Sequence, residues 1–262
     1  MKRSRQSYYK ALKVQRVKYQ HGDDLFSFIQ PIRQIMPRIG GKKLHFMIKE
    51  KLDERAIKIG RDKFFRWLRE QDLLIRQKKS FVITTQSRHR FWVHSNLTEH
   101  FVPKKANELW VSDITYIRTL EGFCYLALIT DAFSRKIVGY DISDSLELNG
   151  CLRALRLATQ TASNLGQLIH HSDRGIQYCS NQYTDLLREQ GIQISMAATG
   201  DCYENALAER VNGILKDEFN LDRTFKNKIQ AIKTVHQSIY IYNMHRPHWA
   251  INLKTPNAMH AA

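Results

Sequence analysis

Cysteine is scarce in this chain: four in 262 residues, at positions 124, 151, 179 and 202, which are 27, 28 and 23 apart. With no Cys-x-x-Cys pair, neither a zinc knuckle nor a disulfide framework is indicated. Long apolar runs are missing too. The longest, Phe123 to Ile129, cannot cross a bilayer, and residues 1 to 20 are basic without the apolar stretch of a signal peptide. The chain therefore reads as intracellular, with no membrane association. Acidic residues are the third shortage: 25 Asp and Glu face 41 Lys and Arg, a net charge of +16 with an isoelectric point near 9.8. That imbalance points to a polyanionic partner.

The charge excess is local. Met1 to Lys104 holds 25 Lys and Arg against 9 Asp and Glu, whereas Lys105 to Ala262 holds 16 of each. A DNA-gripping N-terminal part joined to a neutral part that carries a core and chemistry fits this split; a basic solubilising face or an RNA-binding arm would share the same charge. A hydrophobic content of 43% suits a folded globular chain of one large domain, or a medium domain with a smaller one. Residues 5 to 20 predict a basic helix, and Leu25 to Ile35 a further helical stretch interrupted by Pro31 and stopped by Pro37. Lys42 to Leu52 spaces Leu44, Ile48 and Leu52 four apart; Arg61 to Leu73 turns Phe64, Phe65 and Leu68 inward and leaves Arg61, Lys63, Arg66 and Arg69 outward. Two short helices, the second basic, suit a helix-turn-helix at about 37–77 inside an all-α region 1–77, with Lys63, Arg66 and Arg69 as DNA contacts. An ordinary helical hairpin with a solvated basic face is the plain alternative. Periodicity fades over the basic linker 78–105, where Arg88-His89-Arg90-Phe91-Trp92-Val93-His94 mixes cations with rings. Arg88 and Arg90 could track a DNA backbone, and Phe91 and Trp92 serve equally well as packing residues.

From Leu109 the grammar changes. Leu109 to Ile117, Phe123 to Asp131 and Lys136 to Ile142 are strand candidates forming an antiparallel meander, followed by a helix over Leu146 to Ala162. Strand Leu168 to Ser172, helix Asn181 to Gln190, strand Ile192 to Ser195, a loop at Ala197 to Tyr203 and a helix from about Glu204 to Phe219 complete a βββαβαβα order. This is the α/β, ribonuclease-H-like arrangement of a mixed five-stranded sheet with helices, expected over 106–225, with a helical extension over 226–262. Three acids fall in telling places: Asp113 on the first strand, Asp173 just past the fourth, and Glu209 on the last helix of that order, with 35 residues between the second and third. Acids on two strands and a helix can converge and hold two divalent metals, as phosphoryl transfer on nucleic acid requires. Asn205, Glu209 and Lys216 share one helical face, which makes Asn205 and Lys216 candidates for contact with DNA beside the acids. On spacing alone, Lys216 is as readily an exposed helix lysine. Glu204, Glu218 and Asp131 compete for the third acidic place, although Asp131 more simply starts the turn Asp131-Ala132-Phe133-Ser134-Arg135.

Five stretches in order, Trp110 to Tyr116, Asp131 to Gly139, His171 to Tyr178, Glu204 to Glu209 and Tyr242 to His248, resemble the motif set of DDE transposases, and most closely the second-frame product, OrfB, of the insertion-sequence-three family. The resemblance runs from residue 5 onward. It implies a catalytic domain similar to retroviral integrase, without that family's zinc module. Asp113, Asp173 and Glu209 match the catalytic and metal-binding triad for two Mg2+ ions, with Mn2+ as a substitute, and Lys216 matches the basic residue that contacts the element's end. It further implies binding of terminal inverted repeats, 3′-end cleavage and strand transfer on double-stranded DNA. The expected partners are further copies of the chain on DNA and an upstream OrfA-type product joined by ribosomal frameshifting. The expected setting is the bacterial cytoplasm at the nucleoid. The competing functions are a ribonuclease-H-like nuclease without strand transfer and an inactive DNA-binding regulator.

Overall fold

In the computed structural model, which describes residues 5–75, 91–162, 165–197 and 205–262, the first helix, α1 (Arg5–Ile35), continues through Pro31. The sequence predicts an interruption there, and the structure corrects it. Proline removes the bond to the carbonyl of Ser27, but Ser27 is exposed and that carbonyl can reach water. Buried Leu25 and Ile29 before the ring, and Met36 and Ile39 after it, anchor the chain on both sides. The helix expected over 42–52 is two, α2 (Gly41–Met47) and α3 (Lys49–Glu54), parted at Ile48 where φ is −92° and ψ is 0°. The apolar spacing survives the break, since Leu44, Ile48 and Leu52 are all buried. Helix α4 (Arg61–Glu70) follows a seam at Gly60, buries Phe64 and Leu68 against α2, and leaves Arg61, Lys63, Arg66 and Arg69 exposed. These elements lie in one of two compact units, Met1–Lys78; the other is Lys79–Ala262.

The second unit is built on a five-stranded sheet in the order β3-β2-β1-β4-β5, with β1 (Leu109–Thr119), β2 (Gly122–Asp131), β3 (Ile137–Ser143), β4 (Ile169–Ser172) and β5 (Gln193–Met196). Strands β1 to β3 form the antiparallel meander; β4 and β5 add in parallel, as crossover connections require. This is the mixed five-stranded sheet read from the element order. On one face α5 (Leu148–Thr161), the one-turn α6 (Ile176–Cys179) and α7 (Asn181–Glu189) pack with Trp110, Ile129, Leu155, Leu168, Tyr183 and Leu187. Gly139 lets α5 close on β3, because a Cβ there would run into the carbonyl oxygen of Ala154. On the other face lie α8 (Ala206–Glu218) and α9 (Lys228–His245), with α10 (Pro256–His260) behind α9. The end of the expected linker belongs to this unit. Ser95 accepts from the Met196 N–H at 3.4 Å and the Leu97 N–H donates to Ser195 Oγ at 2.9 Å, so residues 91–98 shield the exposed edge of β5.

Candidate active site

The parallel register of β1 and β4 ends with Ser112 opposite Ser172, so the next residues, Asp113 and Asp173, stand side by side just past the paired ends. Neighbouring strands are about 4.8 Å apart, which puts the two carboxyl-bearing backbones within reach of a shared ligand. Alternation decides which way each side chain goes. Leu109, Val111 and Ile169 fall on the α8 face together with Ala208, and Asp113 follows them in parity. Gly175 shapes the loop after Asp173: its N–H donates to Asp173 Oδ1 at 2.9 Å, and a Cβ on residue 175 would lie at that same 2.9 Å from the oxygen. Arg174 Nε donates to the carbonyl of Ala197 at 2.6 Å, tying this loop to the end of β5. Asp113, Ile114, Thr115, Tyr116, Asp173, Gly175 and Gln177 then line a cleft.

Electrostatics mark this pair. Desolvation pushes the Asp113 carboxyl up to about 7; the Asp173 charge adds to that rise and Glu209 adds least, against hydrogen bonds from Asn212 and the Ile114 N–H. A carboxyl held back from ionisation beside a second acid marks a site short of positive charge, and an all-oxygen donor set fits a hard divalent cation such as magnesium. Glu209 is exposed in the first turn of α8. Among the described residues no three acids, histidines or cysteines are already gathered for a metal. Asp113 and Asp173 are brought together, and Glu209 sits on the helix beside them.

The competing acids are placed elsewhere. Asp131 is fully buried and accepts from the Ser134 N–H at 2.7 Å and the Asn107 N–H at 2.8 Å, so it caps its turn. Glu218 holds Arg246 with two bonds of 2.8 Å. Glu204, Arg88 and Arg90 lie outside the described residues. Lys63, Arg66 and Arg69 are exposed on α4, and Lys42, Arg61, Arg66 and Arg69 line one groove of the N-terminal unit. Lys216 is half-buried with Nζ 4.5 Å from the centre of the Tyr116 ring; burial lowers its pKa, with Asp113 pulling the other way. Asn205 is turned inward, its Nδ2 donating to the carbonyl of Ser112 at 3.1 Å.

One site residue escaped the sequence reading. Asn212 donates from Nδ2 to Asp113 Oδ2 at 2.7 Å. Its position was the available signal, three residues after Glu209 and seven after Asn205 on the same helical face.

The second unit matches the Integrase core domain family twice, over residues 103–202 and over residues 190–256. The chain is 38% identical over 215 residues to the insertion element IS600 uncharacterized 31 kDa protein of Shigella sonnei, covering 80% of this chain and 78% of that one. It is 36% identical over 152 residues to the transposase InsF for insertion sequence IS3A of Escherichia coli strain K12, which covers 58% of this chain and about half, 53%, of that protein. A chain of the simian T-cell lymphotropic virus intasome in complex with PP2A regulatory subunit B56 gamma superposes with a TM-score of 0.51 at 17% identity, covering 85% of this chain and 75% of that one; at such identity the likeness is one of fold. Sheet order and family match together define an integrase-type, ribonuclease-H-like core. Within that class, the chain belongs to the insertion-sequence-three family of DDE transposases.

Proposed function

We propose that the chain binds the terminal inverted repeats of an insertion sequence, hydrolyses the element's 3′ ends and joins them to a second phosphodiester. The observation that carries this is the placement of Asp113 and Asp173 just past the paired ends of adjacent parallel strands, with the Glu209 helix bonded to Asp113. Asp113, Asp173 and Glu209 would hold two Mg2+ ions, with Mn2+ as a substitute, which when bound activate the attacking oxygen and stabilise the leaving one. In the first step a water oxygen attacks phosphorus, the P–O3′ bond breaks, and the freed 3′-oxygen takes a proton. In the second that 3′-OH attacks another phosphodiester and displaces its 3′-oxygen, so no covalent protein intermediate is needed.

This chain's own groups position the substrate. Lys216, on the face of α8 that carries Glu209, is set to contact a phosphate of the element end, and exposed Lys63, Arg66 and Arg69 on α4 to grip duplex DNA in helix-turn-helix fashion. The protein would work as a homo-oligomer on DNA at the bacterial nucleoid, fused to or associated with an upstream OrfA-type product. Among the described residues no helix is long and apolar enough to cross a membrane.

A strand-transfer assay with labelled element ends tests the reading. Joined product is expected with the native chain; Asp113→Asn, Asp173→Asn and Glu209→Gln should each abolish cleavage and joining while DNA binding persists. Hydrolysis without joining would leave a nuclease, and binding without metal-dependent chemistry a regulator. Retained cleavage in any of the three variants removes that residue from the site.

A further inference from the structure

Helix α8 carries Asn205 at its N-terminal end and then Glu209, Asn212 and Lys216, at intervals of four, three and four, which forms one stripe along the helix. Three of the four touch β1 in sequence. Asn205 Nδ2 donates to the carbonyl of Ser112, Asn212 Nδ2 donates to Asp113 Oδ2, and Lys216 lies over the Tyr116 ring. Glu209, the fourth, is exposed. The helix is thus docked on the strand by its amides, and the acid between them is left facing solvent.

Ser112 is fixed in turn. Its hydroxyl lies 2.7 Å from His170 Nε2, which also faces the Tyr183 hydroxyl at 3.0 Å, so a residue of β4 three places before Asp173 holds the same serine whose carbonyl receives Asn205. One serine therefore joins the three elements that carry the three acids. Both asparagines are 5% exposed, and among the described residues neither Oδ1 atom has a hydrogen-bond donor. Burying two half-satisfied amides is unfavourable for a helix that only has to pack, where apolar residues would do better.

We propose that Asn205 and Asn212 are positioning residues that hold α8 on β1, and so set Glu209 within reach of Asp113 and Asp173 before any metal is bound. The assignment rests on reading the three acids as a metal site. Glu209 is then free to move its side chain onto a cation while its backbone stays in place. A preassembled frame of this kind spares the ion from ordering the helix itself.

Hydrogen exchange on the full-length, metal-free chain and Mn2+ titration followed by electron paramagnetic resonance test it together. Asn205→Ala and Asn212→Leu should speed exchange over residues 206–218 without altering β1 to β3, and weaken Mn2+ binding at least tenfold. Asn212→Gln, which keeps a donor, should recover part of that loss. Glu209→Gln should weaken Mn2+ binding with α8 exchange unchanged, the split that a merely structural pair of asparagines would not produce. Unchanged α8 exchange in both asparagine variants overturns the proposal, as does faster exchange with Mn2+ affinity intact. Mn2+ binding by Asp113→Asn as tight as in the native chain would overturn the metal-site reading instead, and with it the purpose of the docking, while the exchange measurement would still report whether the amides hold the helix.

Discussion

His170 shows how much a single buried side chain can decide behind this site. Burial pushes its imidazole down to about 3, with neighbouring His171 adding to the fall, and among the described residues its Nδ1 has no side-chain hydrogen-bond partner. A protonated ring would carry a second N–H with nothing to receive it, so the residue stays neutral and spends Nε2 on Ser112 and Tyr183. Because the folded pKa lies below the ordinary value of 6.5, the unfolded chain binds the proton more readily. The stability that His170 contributes is fully present above about pH 6.5 and is lost as pH falls toward 3. Urea midpoints of the native chain and of His170→Gln, measured from pH 7 down to pH 5, should converge as the pH drops. Parallel curves would mean that His170 does not titrate on unfolding. None of this can be read from His170-His171 as letters: both rings are buried on opposite faces of the strand, and only the sheet gives His170 the hydroxyls of Ser112 and Tyr183 and His171 that of Ser195.

Helix α9 closes the meander from the far side of the sheet. The Asn243 side chain pairs with the backbone of Ile137, accepting from its N–H at 3.0 Å and donating to its carbonyl at 2.9 Å, as a further strand would. The Tyr242 hydroxyl donates to the carbonyl of Arg135 at 2.9 Å, in the turn that Asp131 caps. At the end of the helix Arg246, 1% exposed, is held by both oxygens of Glu218 on α8, so α8 and α9 are joined through a buried ion pair. Taking away one partner of such a pair strands the other charge, which costs about 3–5 kcal/mol. Arg246→Met should lower stability by that amount in urea denaturation, and adding Glu218→Leu should restore part of it; a single variant within about 1 kcal/mol of native would show that the pair is worth little. The Tyr242 to His248 stretch stood out in the sequence as a motif without a physical task. Its task is to brace β3 and α8, a role invisible until the last helix is laid across the sheet.

The chain folds as two compact units, Met1–Lys78 and Lys79–Ala262, and most of the charge excess lies in the first, which holds 21 Lys and Arg against 8 Asp and Glu, while the second holds 20 against 17. For the DNA-binding reading, the groove lined by Lys42, Arg61, Arg66 and Arg69 supplies a quantitative test. Each phosphate neutralised on duplex DNA releases counterions, contributing about −0.9 to the slope of log affinity against log salt. Arg66→Ala and Arg69→Ala should each make that slope shallower by about one, measured by fluorescence anisotropy on an element-end duplex. An unchanged slope removes α4 from the DNA interface.

Patterning alone determined the class of this protein. Apolar spacing at period two and period 3.6 depends on burial in any fold, so the βββαβαβα order, and Phe64 and Leu68 on α4 as core, follow from the letters. The acids Asp113, Asp173 and Glu209 stood out through their company. Tertiary structure alone decided that Pro31 stays inside a helix, because an exposed carbonyl and buried neighbours on both sides outweigh a lost hydrogen bond. It also decided that Asn205 faces inward and that Asn212 grips Asp113. Which partner an amide meets is a matter of distance across 93 and 99 residues of chain, and local sequence carries no record of that.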